Sequence, residues 1–191
     1  MSNKKALIVV DMQNDYLWNR RKKMFSYNTP ELVNAVNSLI SEFSERGDDV
    51  IYVGQVFPNI ITNKWFIGFS IKGTSGAEIY PDVDIVSDNY FEKNLPNSFT
   101  SRSFKSFVTT KEYSEITVCG LDLCGCVGAT AKGAIKKIDF YLFDKESIIR
   151  DILSLGSDIQ VIEVRKPGMK KGEFVIDYEN DIRGEVVAML R

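Results

Sequence analysis

The sequence predicts an α/β fold built on a parallel sheet, and three observations carry that prediction. Short β-branched runs alternate with longer amphipathic segments, the pattern of βαβ units. The first run, Ala6-Leu-Ile-Val-Val10, leads through a polar loop into a well-marked amphipathic helix. No internal repeat or low-complexity linker interrupts the alternation, so residues 1–191 read as one domain.

The elements follow in order. Thr29-Pro30-Glu31 reads as an N-cap followed by proline and an acid in the first turn. Leu32, Val33, Val36, Leu39, Ile40 and Phe43 then share one helical face, and Gly47 supplies the stop. Strands are predicted over residues 50–54 and 85–91. A short helix turns Phe104, Phe107 and Val108 inward and precedes a strand over 115–119. A small-residue helix runs from about 126 to 136, then a strand over 140–143, a helix over 146–155 and a strand over 159–164. Six strands result. Residues 58–81 and the tail from Arg165 are left unassigned, apart from a basic loop, RKPGMKK, ahead of a final helix near 181–190.

Composition narrows the function. A net charge of −2 gives no broad basic field, which argues against nucleic acid or an anionic membrane as a partner. The stretch MSNKKALIVVDMQ is too short in apolar residues for a signal peptide, and no later run could span a bilayer. Three cysteines clustered in CGLDLCGC do not look like a disulfide framework, so a reducing cytoplasm is the expected location. The chain has no histidine, so a metal site would need cysteines and carboxylates alone, and none is expected.

In an open parallel sheet, ligands bind beyond the carboxyl ends of the strands. Asp11 follows the first strand, Lys93 the third, and the segment from Gly120 to Cys126 the fourth. Alone, the acid reads as a turn cap, the lysine as a solvated strand end and a cysteine as packing. Together they place an acid, an amine and a thiol on one rim. Cys126 opens a helix, where the dipole and a nearby Lys93 ammonium would lower its pKa. Asp11 can take the thiol proton and return it to a leaving amine, and backbone N–H groups between Gly120 and Cys126 can hold an oxyanion. Cys119, ending a buried strand, reads as structural.

These residues resemble the isochorismatase-like cysteine hydrolases, which include nicotinamidases and N-carbamoylsarcosine amidase. The resemblance rests on Leu7-Ile-Val-Val-Asp11-Met-Gln-Asn-Asp15, the KGTSGAE loop at Lys72–Glu78, and Lys93 followed by Asn97-Ser98-Phe99. It extends to Gly120-x5-Cys126-Val127-x2-Thr130-Ala131-x2-Ala134. It implies a three-layer αβα fold with a six-stranded parallel sheet and a catalytic triad of Asp11, Lys93 and Cys126. It further implies a cis peptide at Leu121-Asp122, which would turn the backbone amides of Asp122 and Cys126 into an oxyanion hole. The departures are equally informative. Where nicotinamidases carry metal-binding Asp-x-His and further histidines, this chain reads Val56-Phe57-Pro58 and Phe69-Ser70-Ile71. Isochorismatases proper lack the nucleophilic cysteine, so Cys126 argues against vinyl-ether cleavage. Where many relatives have Thr-Asp, this chain has Leu123-Cys124.

The expected function is therefore metal-free and cofactor-free hydrolysis of a C–N bond in a small amide through a thioester. Tyr16, Trp18, Trp65 and Phe99 are candidate pocket residues. The resemblance also implies a homo-oligomer, dimer or tetramer. A second reading, from another class, is a thiol redox or sensing module using Cys124 and Cys126. A third is a binding relative without chemistry.

Overall fold

Strand β1 (Lys5–Val10) lies inside the sheet, and the alternation of its side chains divides the protein into two cores. Ala6, Ile8 and Val10 enter one core, with Phe104, Val108, Val127 and Ala131. Leu7 and Val9 enter the other, with Leu32, Val36, Ile40 and Phe43. A strand buried on both faces needs a helical layer on each side. The computed structural model describes residues 4–137, 161–165, 174–177 and 188–190.

The short α1 (Asn14–Leu17) follows β1, and α2 (Thr29–Glu45) then covers one face. Pro30 occupies the first turn of α2, and Leu32, Val33, Val36, Ile40 and Phe43 are buried. Gly47 follows at φ 74°, the left-handed conformation that ends a helix. Strand β2 (Asp49–Gln55) pairs parallel with β1, Leu7 opposite Val50. Helix α3 (Ile61–Phe66) lies in the segment left unassigned from sequence, and none of its residues is buried. Strand β3 (Tyr90–Lys93) pairs with β2, and α4 (Arg102–Lys111) leads to β4 (Glu115–Gly120) on the far side of β1. Helix α5 (Gly128–Lys137) follows β4, and Thr130, Ala131 and Ala134 are buried on it. The parallel order β3-β2-β1-β4 makes the chain change direction across the sheet at β1 and β4. That switch point opens a crevice at the carboxyl ends of those two strands.

Three expectations are corrected. Among the described residues the sheet is not six parallel strands. β5 (Val161–Arg165), β6 (Phe174–Asp177) and β7 (Ala188–Leu190) continue it antiparallel beyond β4, giving seven described strands of which four are parallel. The connections 166–173 and 178–187 are shorter than the dozen or so residues a parallel crossover needs, whereas an antiparallel return is open to them. The helix predicted near 181–190 ends as strand β7, because Leu190 pairs with Phe174; the rest of it lies outside the described residues. So do the strand predicted at 140–143 and the helix at 146–155, while the strand predicted at 159–164 overlaps β5.

The strand predicted over 85–91 starts only at Tyr90. Ile85 and Val86 are exposed, and the segment is held along β2 by side chains. Ser87 Oγ donates to the Val50 carbonyl at 2.6 Å, and Tyr52 Oη accepts from Val86 N at 3.1 Å while donating to the Asp84 carbonyl at 2.8 Å. Polar side chains bonding the backbone replace the ladder that the β-branched residues suggested. Among the described residues no helix is long and apolar enough to cross a membrane.

Candidate active site

The ends of three neighbouring strands bring an acid, an amide and an amine together. Asp11 directly follows β1, Gln55 ends β2 and Lys93 ends β3, where Gln55 and Lys93 are register partners. Lys93 Nζ donates to Asp11 Oδ2 at 2.8 Å and to Gln55 Oε1 at 2.7 Å. The fourth strand supplies the thiol. After β4 the chain makes a single wide turn, Leu123–Val127, with a kink at Gly125, and then enters α5. Cys126 Sγ lies 3.9 Å from Gln55 Oε1 and interacts with Asp11 and Lys93. The three candidates drawn from sequence thus meet on the crevice floor, with Gln55 joining them. Gln55 was missed from sequence, although its place at a strand's carboxyl end was the available signal.

Backbone geometry at the two central strand ends is unusual. Asp11 has φ 56° and Gly120 φ 110°. A Cβ at Gly120 would collide with the Val10 carbonyl, the same carbonyl that accepts from Leu121 N at 2.9 Å. Only glycine fits such a close approach. Asp is among the few residues tolerated at positive φ, and strain of this kind gathers at functional sites.

The remaining motif residues act as a frame. Gln13 Nε2 donates to the Gln55 and Ala77 carbonyls at 3.0 and 2.6 Å, and its Oε1 accepts from Gln55 N at 2.9 Å. Asn14 Nδ2 donates to the Ser75 carbonyl at 2.7 Å, and Asp15 Oδ2 accepts from Ser70 N at 2.7 Å. The polar residues after β1 therefore clamp the KGTSGAE loop and the end of β2 beside Asp11. On the other side, Thr130 Oγ1 accepts from Ser98 N at 3.0 Å and pairs with Ser98 Oγ at 2.8 Å, fastening Asn97-Ser98-Phe99 to α5.

A cavity of about 380 Å³ opens above this floor. Its walls include Asp11, Gln55 and Cys126, the aromatic rings of Tyr16, Phe25, Tyr27, Phe57 and Phe69, and Asp122. Of the pocket candidates, Tyr16 lines it, its hydroxyl accepting from Ser70 Oγ at 3.0 Å. Phe99 is buried in the core against Phe104, ring centroids 5.0 Å apart, and Trp65 is 83% exposed on α3. Trp18 stacks under the Arg20 guanidinium, 3.7 Å from its centroid. None of these three lines the cavity. The rings that do were missed because they come from loops: Phe25 and Tyr27 from one placed by Arg21, which donates to the carbonyls of Leu17, Trp18, Phe25 and Tyr27, and Phe57 and Phe69 from segments packed on each other.

Burial raises the pKa of the Cys126 thiol, and the neighbouring Asp11 carboxylate raises it further; Lys93 acts the other way without reversing the direction. This differs from the lowered pKa expected from sequence, because the Lys93 ammonium does not outweigh loss of solvent and the Asp11 charge. Burial likewise holds Asp11 above its ordinary value, against the lowering by Lys93 and the thiol. Among the described residues Asp11 Oδ1 is buried without a hydrogen-bond partner, an open acceptor on the residue that interacts with the thiol. The Cys119 thiol is fully buried and is also raised by burial. The side chain of Cys124 lies outside the described residues.

No described peptide bond is cis, so the cis bond expected at Leu121-Asp122 is absent; the positive φ at Gly120 turns the chain there. The residues standing where nicotinamidases bind metal do not fit one. Phe57 packs on Phe69 with centroids 6.0 Å apart, Ser70 is tied to Asp15 and Tyr16, and the chain has no histidine.

A three-layer α/β fold with an acid, amine and thiol at its switch point defines a class of hydrolase folds, and sequence comparison gives the family. Residues 5–142 match the Isochorismatase domain, and the chain belongs to that family. It is 29% identical over 132 residues to the uncharacterized isochorismatase family protein YddQ of Bacillus subtilis (strain 168), covering 69% of each chain. It is similar in structure to N-carbamoylsarcosine amidase from Thermoplasma acidophilum, with TM-score 0.58 and 26% identity over 70% of this chain and 77% of that one. Likeness to the pyrazinamidase of Pyrococcus horikoshii in complex with zinc is one of fold, with TM-score 0.63 and 20% identity over 80% and 95% of the two chains. The protein is thus an isochorismatase-family hydrolase, with amidases among its relatives.

Proposed function

We propose that the protein hydrolyses a C–N bond of a small amide, with Cys126 as nucleophile and Asp11 as acid–base. The observation that carries this reading is the Lys93 ammonium, 2.8 Å from Asp11 and 2.7 Å from Gln55, beside the Cys126 thiol on the floor of an aromatic-walled cavity. The resting thiol keeps its proton. As sulfur attacks the carbonyl carbon, the S–H proton passes to Asp11, whose raised pKa makes it a stronger base than an exposed carboxylate. Lys93 holds Asp11 in place. Backbone N–H groups of the turn between Gly120 and Cys126 receive the oxyanion. Collapse breaks the C–N bond, and Asp11 gives its proton to the departing nitrogen. Asp11 then deprotonates water, which attacks the thioester and restores the thiol and a carboxylic acid.

The test is ammonia release from a panel of primary amides by the wild type and Cys126→Ala, with mass spectrometry of acid-quenched wild type. The expected result is loss of activity in the variant and an acyl adduct on Cys126. Equal activity of the two proteins, or turnover without any adduct on Cys126 under single-turnover conditions, overturns the mechanism.

A further inference from the structure

Among its described lining residues, the cavity beside Cys126 holds one charge that the proposed chemistry does not use. Asp122 is half-buried, and its carboxylate faces the cavity among aromatic rings. Its Oδ2 accepts from the Tyr27 hydroxyl at 3.1 Å, and Oδ1 lies over Gly125, where a Cβ would approach to 3.0 Å. Tyr27 is neutral, and among the described residues no ammonium or guanidinium pairs with Asp122. The other carboxylate in the wall, Asp11, is already paired with Lys93. No lysine or arginine is among the described lining residues. Lys22 sits 5.2 Å from the Phe69 ring and donates to the Ile67 carbonyl on the exposed side, and Arg21 is engaged by the backbone carbonyls of Leu17, Trp18, Phe25 and Tyr27.

The walls fit this charge. Tyr16, Phe25 and Phe69 meet edge to face, with centroids 4.7 to 5.8 Å apart. Ring faces are electron-rich, and a partly desolvated carboxylate among them makes a compartment that favours a cation and disfavours an anion. A hydrogen bond from tyrosine leaves the formal charge of Asp122 in place. An asparagine would accept the same bond, so closing the Tyr27 loop does not account for an acid there.

We propose that Asp122 is a specificity-determining residue, and that the substrate is a small amide whose apolar or aromatic body carries a protonated amine. The substrate's amide lies at Cys126, its body contacts the rings and its ammonium meets Asp122. Amides bearing a carboxylate are rejected. This inference rests on the reading of the cavity as an amidase site, and it adds the charge class of the substrate.

The test separates binding from turnover. Calorimetry on the wild type compares benzylammonium, benzyl alcohol and benzoate. The expected order has benzylammonium tightest by roughly tenfold and benzoate weakest, the size of one charge-assisted contact. Asp122→Asn should remove that preference while keeping an acceptor for Tyr27. Should this variant not fold, the wild type still decides. Its affinity for benzylammonium must fall several-fold between about 20 and about 300 mM salt, while that for benzyl alcohol stays level. Benzoate binding as tightly as benzylammonium, an unchanged preference in Asp122→Asn, or a salt-independent preference overturns the inference. Turnover is read separately, as ammonia from benzamide and from 3-(aminomethyl)benzamide. Hydrolysis without charge preference sinks the role of Asp122 alone. Charge preference without any acyl-enzyme sinks the amidase reading alone.

Discussion

Lys93 Nζ and Asp11 Oδ2 form an ion pair 2.8 Å apart with side chains 0% and 4% exposed, at the ends of strands separated by β2. Removing one member of such a pair leaves an uncompensated charge in the interior, whereas removing both charges is far milder. Lys93→Met and Asp11→Asn should each destabilise the fold by about 3–5 kcal/mol, and the double variant should recover most of that loss. All three should be inactive. Urea unfolding checks the stability and amide turnover the activity; a double variant no more stable than either single one contradicts the pairing.

Gln55 Oε1 accepts from Lys93 at 2.7 Å and lies 3.9 Å from Cys126 Sγ. It acts through Lys93 and is a positioning residue. Gln55→Ala leaves the ammonium free to shift from Asp11, and displacements of that kind lower turnover by up to about 100-fold. The loss should fall on kcat rather than KM, and the acid limb of the rate profile should move with it. A loss confined to KM would instead mark Gln55 as a substrate contact.

The pH dependence follows from two raised groups. Asp11 must be ionised to accept the thiol proton, and burial holds its pKa above the ordinary carboxylate value. Activity should therefore rise with pH through a limb above about 4, the usual carboxylate position. The Cys126 thiol is raised by burial and by Asp11, so its alkylation by iodoacetamide should be slow at neutral pH and quicken only in alkali. Fast alkylation at pH 6 would contradict the protonated resting thiol.

What the sequence shows of this site is set by where its geometry originates. Asp11, Lys93 and Cys126 follow strands, and strand ends are legible from the end of a β-branched run. Gln55 has the same placement but no reactive group to draw attention. Phe25, Tyr27, Phe57 and Phe69 were illegible for another reason. Their loops have no period; Phe25 and Tyr27 depend on the bonds from Arg21, and Phe25, Phe57 and Phe69 on ring contacts with Tyr16 and with one another. Trp65 and Phe99 illustrate the converse: an aromatic near a rim in sequence lies on an exposed helix in one case and in the core in the other. The antiparallel half of the sheet was unreadable because β-branched runs do not encode strand direction.

The core position of Phe99 makes a contrast testable. It is 8% exposed, packed on Phe104, and its ring crowds Gly133 on α5. Phe99→Ala should destabilise the protein by about 3–5 kcal/mol with unchanged KM in the surviving folded fraction. Phe57→Ala, on the cavity wall, should instead raise KM and cost less stability. A KM effect at Phe99 equal to that at Phe57 would place both in the binding site.

Asp49 gives a stability signature far from the cavity. Its carboxylate accepts from Lys4 Nζ at 2.6 Å and from the Tyr113 hydroxyl, and Lys111 Nζ lies 3.9 Å away. It thereby joins the start of β2 to residues preceding β1 and β4. Burial acts to raise its pKa, but the bonds from Lys4 and Tyr113 and the two lysine charges prevail and lower it. The folded pKa is then below the unfolded one, and between the two the unfolded chain binds more protons. Stability from Asp49 is full above the unfolded value of about 4 and is lost as pH falls through the folded value. Lys4 is 41% exposed, so screening keeps the contribution near 1 kcal/mol. Asp49→Asn should lower stability at pH 7 by about that amount and flatten its decline on the acid side. Denaturant melts of both proteins at pH 7 and at pH 3 check this; curves that stay parallel across that range would assign the acid sensitivity to other carboxylates.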